Sequence, residues 1–510
     1  MYKKYHKSKL IYKYVYPSAK LLLIILIGIH LATCAKKKSI EFSVRFSKEF
    51  SETPLTGRAF IILDADTTRE PRLFYPWDND NQYYFAADFS KLTSDNEIVI
   101  GSNSLHYPKK LTELDSGYYA VQAVLDINKD EKHFSVAAGN GYSAVSVINL
   151  RKNRKQTIDL FVNKIVSEKV FPESKFVKEA KITSRLLSDF YGFPIKMRAA
   201  VYLPDSYLDS PNKDYPAVYI IPSFNTRHYH IEKNIRRHIV KKGIDKVFIV
   251  LDPDCHLGHH VFADSDNNGP RGKALVEEFI PYLEKNYRLI SKPAARLLTG
   301  FSSGGWSSLW LQIIYTDFFG GVWSVAPDPV DFRNFIGINI YDDANLIYYP
   351  NKKERPCWRG KDKIYFTIKE MSDIDYILAH GGLFVTFESV FSPQGSDGQP
   401  EKVYNRQTGE INHNVSKKWE KYDIRLVLMN NWDILKSKIQ GKIHIYTKEH
   451  DSFYLNESVE LLREELQQLG SDAIIEFFEG YGHGSVFNDV KERINHEMDS
   501  FLLRDFPDIK

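Results

Sequence analysis

Hydrophobic patterning divides the chain near residue 166. In residues 40–166 the apolar positions come in short runs with a period of two. Ile40, Phe42, Val44 and Phe46 alternate with polar residues, as on a half-buried strand. Further strands are expected over residues 59–63, 83–87, 97–100, 118–125, 143–150 and 157–162, with turn-rich segments between them. This predicts an all-β, sandwich-like domain. Nothing in it reads as catalytic, and spacing, carbohydrate contact or packing is its expected role.

From residue 167 the texture alternates between strands and helices. Strands are expected over 197–203, 217–221, 247–251, 296–299, 322–325, 442–447 and 473–478. Helices are expected over 273–287, 305–319, 456–469 and 488–503. In the first of these, Val276, Phe279, Ile280 and Leu283 share one face. Continuous apolar strands alternating with amphipathic helices predict an α/β fold with a mostly parallel sheet covered on both sides. Residues 327–441 are too many for an ordinary loop. They hold Trp358, Trp419 and Trp432 and are expected to form a cap-like insertion over the carboxyl edge of the strands. The alternative is a peripheral subdomain with its own core.

Gly300-Phe301-Ser302-Ser303-Gly304 lies between an expected strand and an expected helix. A serine between two glycines on such a turn is the pattern of a nucleophile elbow. About 0.2 chance matches are expected in a chain of this length, so the surroundings must decide. A serine nucleophile needs a histidine base, and the histidine needs an acid to orient it. In this fold the acid and then the histidine follow the serine along the chain. Asp451 and His483 occupy those places, each just past an expected strand, with Glu449 and Asp328 as rival acids. The oxyanion hole requires two backbone N–H groups. Ser303 and Phe224 are the expected donors, the second from the loop Pro222-Ser223-Phe224-Asn225.

The remaining chemistry narrows the picture. His256, His259 and His260 with Asp252 and Asp254 fit no metal-ligand spacing, so no metal or cofactor is expected. His260 and Trp306 are assigned to the substrate pocket. Residues 264–269 open like a calcium loop but have Leu275 at the twelfth position, so a turn and helix cap is expected there. The net charge is +3, which gives no signal for nucleic acid. Cys255 and Cys357 allow one disulfide in an oxidising compartment. Lysines at 3, 4, 7, 9, 13 and 20 precede an apolar run over 21–29, the layout of a secretory signal. Leu31-Ala32-Thr33-Cys34 resembles a bacterial lipobox. That resemblance implies a signal peptide over 1–33, lipidation (palmitate) at Cys34, a tether over 34–39 and a membrane-anchored place in the cell envelope.

Several segments together resemble the Putative esterase family, the α/β-hydrolases related to esterase D, S-formylglutathione hydrolase and enterochelin esterase. They are Tyr215-Pro216-Ala217-Val218-Tyr219, Gly300 to Trp306 with Ser308-Leu309-Trp310, Asp451-Ser452-Phe453-Tyr454-Leu455, and Gly482-His483-Gly484. The resemblance spans residues 181–503. It implies an α/β-hydrolase fold and a serine carboxylester hydrolase with Ser302, Asp451 and His483 as its triad. The expected substrate is a small-molecule or glycan-linked ester. Where relatives carry His-Gly after the oxyanion strand, this chain has Pro222-Ser223. Acyl transfer on the same scaffold and a non-catalytic surface-binding lipoprotein are the alternatives.

Overall fold

The structure is a computed structural model describing residues 39–76, 81–152, 154–240 and 242–509. The expected signal segment and Cys34 lie outside the described residues.

The first part carries β1 (Ile40–Phe46), β2 (Leu55–Asp64), β3 (Gln82–Leu92), β4 (Ile98–Ile100), β5 (Leu105–Tyr107), β6 (Gly117–Asp126), β7 (Gly141–Ser143), β8 (Ser146–Leu150) and β9 (Gln156–Ile165). Hydrogen bonds join all nine into one sheet, in the order β4-β1-β9-β7-β6-β2-β3-β5 with β8 also on β6. The single strand expected over 143–150 is therefore two, both paired with β6. One core is built from Phe42, Val44 and Phe46 on one wing and Ala59, Ile61, Phe85 and Val121 on the other.

The alternate residues Phe60, Ile62, Tyr84, Ala86 and Val124 face the opposite way and belong to the core of the second part. Both faces of β2 and β6 are thus buried, which is why residues 59–63 and 123–125 are apolar at consecutive positions.

The second part is built on eight strands. They are β10 (Val177–Ser184), β11 (Ile195–Tyr202), β12 (Ala217–Ile221), β13 (Val247–Leu251), β18 (Arg296–Phe301), β19 (Gly321–Val325), β22 (Ile443–His450) and β23 (Ile474–Tyr481). The numbers between belong to two-stranded ribbons: β14 (Asp254–Cys255) with β15 (Gly258–His259), β16 (Asp264–Ser265) with β17 (Gly269–Pro270), and β20 (Pro356–Arg359) with β21 (Ile364–Thr367). The sheet order is β10-β11-β13-β12-β18-β19-β22-β23. β10/β11 and β11/β13 pair antiparallel, and the other five pairings are parallel. The parallel strands therefore end along one carboxyl edge, where open α/β sheets place their sites.

Helices cover both faces. Ser303–Ile314 lies against β18 and β19 on the face shared with the insertion, and Phe487–Asp505 packs on the opposite face. The helix expected over 273–287 runs from Arg271 to Asn286 with one wide turn at Leu275–Phe279, where Ile280 N–H bonds Leu275 O. Pro281 explains the wide turn, since it has no N–H to continue the regular ladder. Asp264 Oδ1 accepts the N–H groups of Gly272 and Lys273 and so caps this helix.

The insertion folds into the β20–β21 ribbon and short helices, including Ile368–Leu378, Leu383–Phe391 and Ile424–Asn430. Its apolar residues merge with the main core. Helix Ile368–Leu378 also packs on β3 and β5, and Arg58 of β2 donates to its carbonyls at Tyr376 and Ile377.

Candidate active site

Ser302 stands between β18 and helix Ser303–Ile314 with φ 59° and ψ −123°. A non-glycine residue is rarely found there. The glycines around it are steric necessities. A Cβ on Gly304 would lie 1.9 Å from Ile221 O, and one on Gly300 would lie 2.0 Å from Gly304 O. Only bare Cα atoms let the helix start cross β12 so closely. Ser302 N–H is held by Val325 O of β19.

His483 and Asp451 meet past the ends of β23 and β22. His483 Nδ1 lies 2.7 Å from Asp451 Oδ2. Asp451 is fully buried, and its other oxygen accepts Phe453 N–H at 2.8 Å. The His483 ring rests on Phe301 with centroids 4.4 Å apart, and Phe453 meets it edge-on at 5.2 Å. The insertion buttresses this corner. Trp358 stacks on Phe453 at 5.8 Å, and Arg359 N–H bonds Ser452 O.

The Ser302 hydroxyl points elsewhere. It donates to Asp328 Oδ1 at 3.2 Å, and Ser303 Oγ donates to Asp328 Oδ2 at 2.6 Å. Among the described residues no hydrogen bond joins Ser302 to His483. Asp328, one of the two rival acids, thus touches the serine, whereas Asp451 touches the histidine. Burial pushes Asp328 up to about 6, against the hydrogen bonds from Ser303 and Ser302.

Ser303 opens the helix and is 4% exposed. Phe224 is half-buried on the loop after β12. The two residues share the wall of a small apolar cavity with Asp328, Trp306, Leu383 and Phe387. Trp306 is buried between Trp310 and Phe391, with centroids at 5.1 and 5.3 Å, and its Nε1 has no hydrogen-bond partner among the described residues. His260 is not on this wall, where Val261 stands instead. Its ring is buried edge-on against Phe262, and its Nδ1 accepts Phe262 N–H. The tight turn through Val261 and Phe262, both at positive φ, directs the histidine inward.

The neighbouring histidines serve the fold. His259 Nε2 bonds Pro222 O at 2.9 Å. His256 packs on His380 at 4.1 Å, and His380 bonds Asp126 of β6 at 2.8 Å. Cys255 and Cys357 are buried free thiols, so the disulfide that the sequence allows does not form.

Sequence reasoning assigned no chemistry to the first part, yet its segment between β6 and β7 reaches this site. Lys132 Nζ lies 3.7 Å from the centre of the Phe224 ring and 3.7 Å from Asp254 Oδ1. Its neighbour Glu131 pairs with Arg227 at 2.9 Å. Arg227 grips Asp252 through two hydrogen bonds of 3.0 and 2.6 Å, and His228 lies 3.1 Å from the same carboxylate. Burial alone would raise Asp252, but Arg227 and His228 hold it well below the usual carboxylate range. The residues after Phe224 are thus fixed by a charge network spanning both parts of the chain. A cavity of about 1110 Å³ opens beside it, lined by Lys132, Asn225, Arg227 and Lys169 among others. Only the run of charged and histidine residues at 252–260 hinted at this network, and no local pattern links it to Glu131 and Lys132.

Residues 192–376 match the model of the family described as Putative esterase. The match lies wholly within the α/β part of the chain. The match takes in Ser302 and ends before Asp451 and His483. The chain is also 25% identical over 140 residues to the uncharacterized protein YbbA of Bacillus subtilis (strain 168), covering 25% of this chain. It spans about half of that relative's length, 56%. Among solved structures, it is similar to the fluorophosphonate-binding serine hydrolase FphF of Staphylococcus aureus. The identity is 12% and the TM-score 0.39, covering 64% of this chain and 98% of that one. It is likewise similar to an S-formylglutathione hydrolase from Agrobacterium tumefaciens, at 12% identity and TM-score 0.37, covering 65% and 97%.

Proposed function

We propose that this protein is a member of the Putative esterase family and a serine carboxylester hydrolase of the α/β-hydrolase fold. The observation that carries the proposal is the pairing of His483 with Asp451 at the sheet edge on which Ser302 is raised by its strained backbone. In the reacting enzyme the Ser302 hydroxyl leaves Asp328 for His483. His483 then accepts its proton as Oγ attacks the ester carbonyl, while Asp451 keeps the imidazole oriented. The N–H groups of Ser303 and Phe224 hold the oxyanion. His483 returns the proton to the leaving alcohol, and water releases the acyl group from Ser302 by the reverse sequence.

A fluorophosphonate probe tests this reading. Covalent labelling at Ser302, lost in Ser302→Ala together with hydrolysis of activated esters, is the expected result. Unchanged ester turnover in Ser302→Ala would refute it.

The N-terminal sequence supports a second element of the proposal, an envelope enzyme anchored to a membrane by a lipid on Cys34. Mass spectrometry of the mature N-terminus should find a lipidated Cys34. An intact Met1 would contradict the anchor without touching the chemistry.

A further inference from the structure

Two cations flank the loop after β12. Helix Ile231–His238 presents Lys233 and Arg237 one turn apart. Lys233 Nζ donates to Thr226 Oγ1 at 2.8 Å, and Arg237 Nη1 donates to Ser223 Oγ at 3.4 Å. The two hydroxyls are themselves 3.1 Å apart. Both cations are half-buried. Among the described residues, neither has an Asp or Glu within ion-pair distance. Several other buried cations do have one, Lys246 with Asp499, Arg296 with Glu284 and Arg406 with Glu388, whereas Arg271 is held by Asn268 O and the Tyr191 hydroxyl.

Like charges one turn apart on a helix repel each other, and burial removes the water that would screen them. Burial, with Arg237 and Arg236 nearby, brings Lys233 down to about 8, and burial and Arg236 lower Arg237. A pair held this way favours an anion beside it. Guanidinium and ammonium groups bind oxyanions through charge-assisted hydrogen bonds.

The pair adjoins the candidate active site. The Arg237 guanidinium lies 5.0 Å from the centre of the Phe301 ring, and that ring carries His483 on it at 4.4 Å. Ser223 immediately precedes Phe224. His483 hands its proton to the leaving alcohol, so the alcohol half of a substrate lies on the histidine's side, near Arg237.

We propose that the ester cleaved at Ser302 carries an anionic oxygen group, carboxylate or phosphate, on its alcohol half, and that Arg237 and Lys233 bind it. This rests on the esterase reading above.

Three acetyl esters of matched shape test it: 3-acetoxybenzoate, 3-acetoxyphenyl phosphate and the neutral 3-acetoxybenzamide. At low salt, kcat/KM for at least one anionic ester should exceed that for the amide by about tenfold. The preferred anion identifies the group. The preference should shrink as salt rises and move toward one in Arg237→Met and in Lys233→Met. A ratio near one in the unmodified protein, or a ratio unchanged by both substitutions, overturns the proposal. If Arg237→Met fails to fold, Lys233→Met and the salt dependence carry the test. Fluorophosphonate labelling in the same preparations separates the two readings. Labelled Ser302 without a charge preference overturns the anion site alone. An unlabelled, inactive protein overturns the esterase reading and the anion site with it.

Discussion

Lys132 Nζ sits 3.7 Å from the centre of the Phe224 ring, joining the segment between β6 and β7 to the loop expected to supply an oxyanion donor. A cation over an aromatic face in a water-poor site is worth on the order of 2 kcal/mol. Its partner Asp254 fixes the ammonium in place. Lys132→Met should therefore loosen Phe224 and lower kcat on an activated ester by about tenfold or more, with KM moved little. Steady-state kinetics on folded variant checks this. A fall confined to KM would place Lys132 in substrate binding instead.

Asp451 holds His483 through one short hydrogen bond and is itself held by Phe453 N–H. Asp451→Asn keeps the shape of the side chain and removes its charge. The expected loss in kcat is on the order of 10²- to 10⁴-fold, with the thermal midpoint changed far less than activity. Activity within a few-fold of the unmodified protein would remove Asp451 from the mechanism.

Asp328 should make stability depend on pH. In the folded state burial raises it from the ordinary carboxylate value to about 6. Between about pH 4 and 6 the folded protein holds a proton that the unfolded chain has released, so stability falls as pH rises through that window. Asp328→Asn cancels the titration. The variant should gain on the unmodified protein by up to about 3 kcal/mol at pH 7 and by much less at pH 4. Urea melts at the two pH values measure the difference, and an equal shift at both would contradict it.

Arg227→Leu should show the opposite slope. It strips Asp252, whose side chain is 5% exposed, of its two-pronged partner. Leaving a buried charge unpaired costs about 3–5 kcal/mol. Asp252 is held well below its ordinary value, so the stability it contributes is present above pH 4 and lost as pH falls. The deficit of Arg227→Leu at pH 7 should therefore narrow in acid, as denaturant melts at both ends of the range would reveal.

Much of the central sheet was legible because its strands are unbroken apolar runs. β12 and β13 fall on the expected residues 217–221 and 247–251. The elbow was legible because sterics require the two glycines, and they flank a serine held in a strained conformation. β10 was not expected, since Lys178, Glu179 and Lys181 break its pattern on a sheet edge. Helix Ile231–His238 was missed for a related reason, being polar on most sides and fixed by side-chain contacts to the oxyanion loop. The insertion was recognised by length and aromatic content, but its short helices follow tertiary packing more than local period. Lys132, Arg227 and Asp252 come together only in three dimensions, so no window of sequence could pair them.

The shared core of β2, β3 and β6 bears on how this chain can be divided. Phe60, Ile62, Tyr84 and Val124 are buried against the half that carries Ser302, and Glu131 and Lys132 neutralise charges on that half. A cut near residue 166 would leave each fragment with an uncovered oily face and stranded ions. Inheritance, recombination and degradation should accordingly treat the two halves as one indivisible unit, and the catalytic half should not outlive the loss of the other.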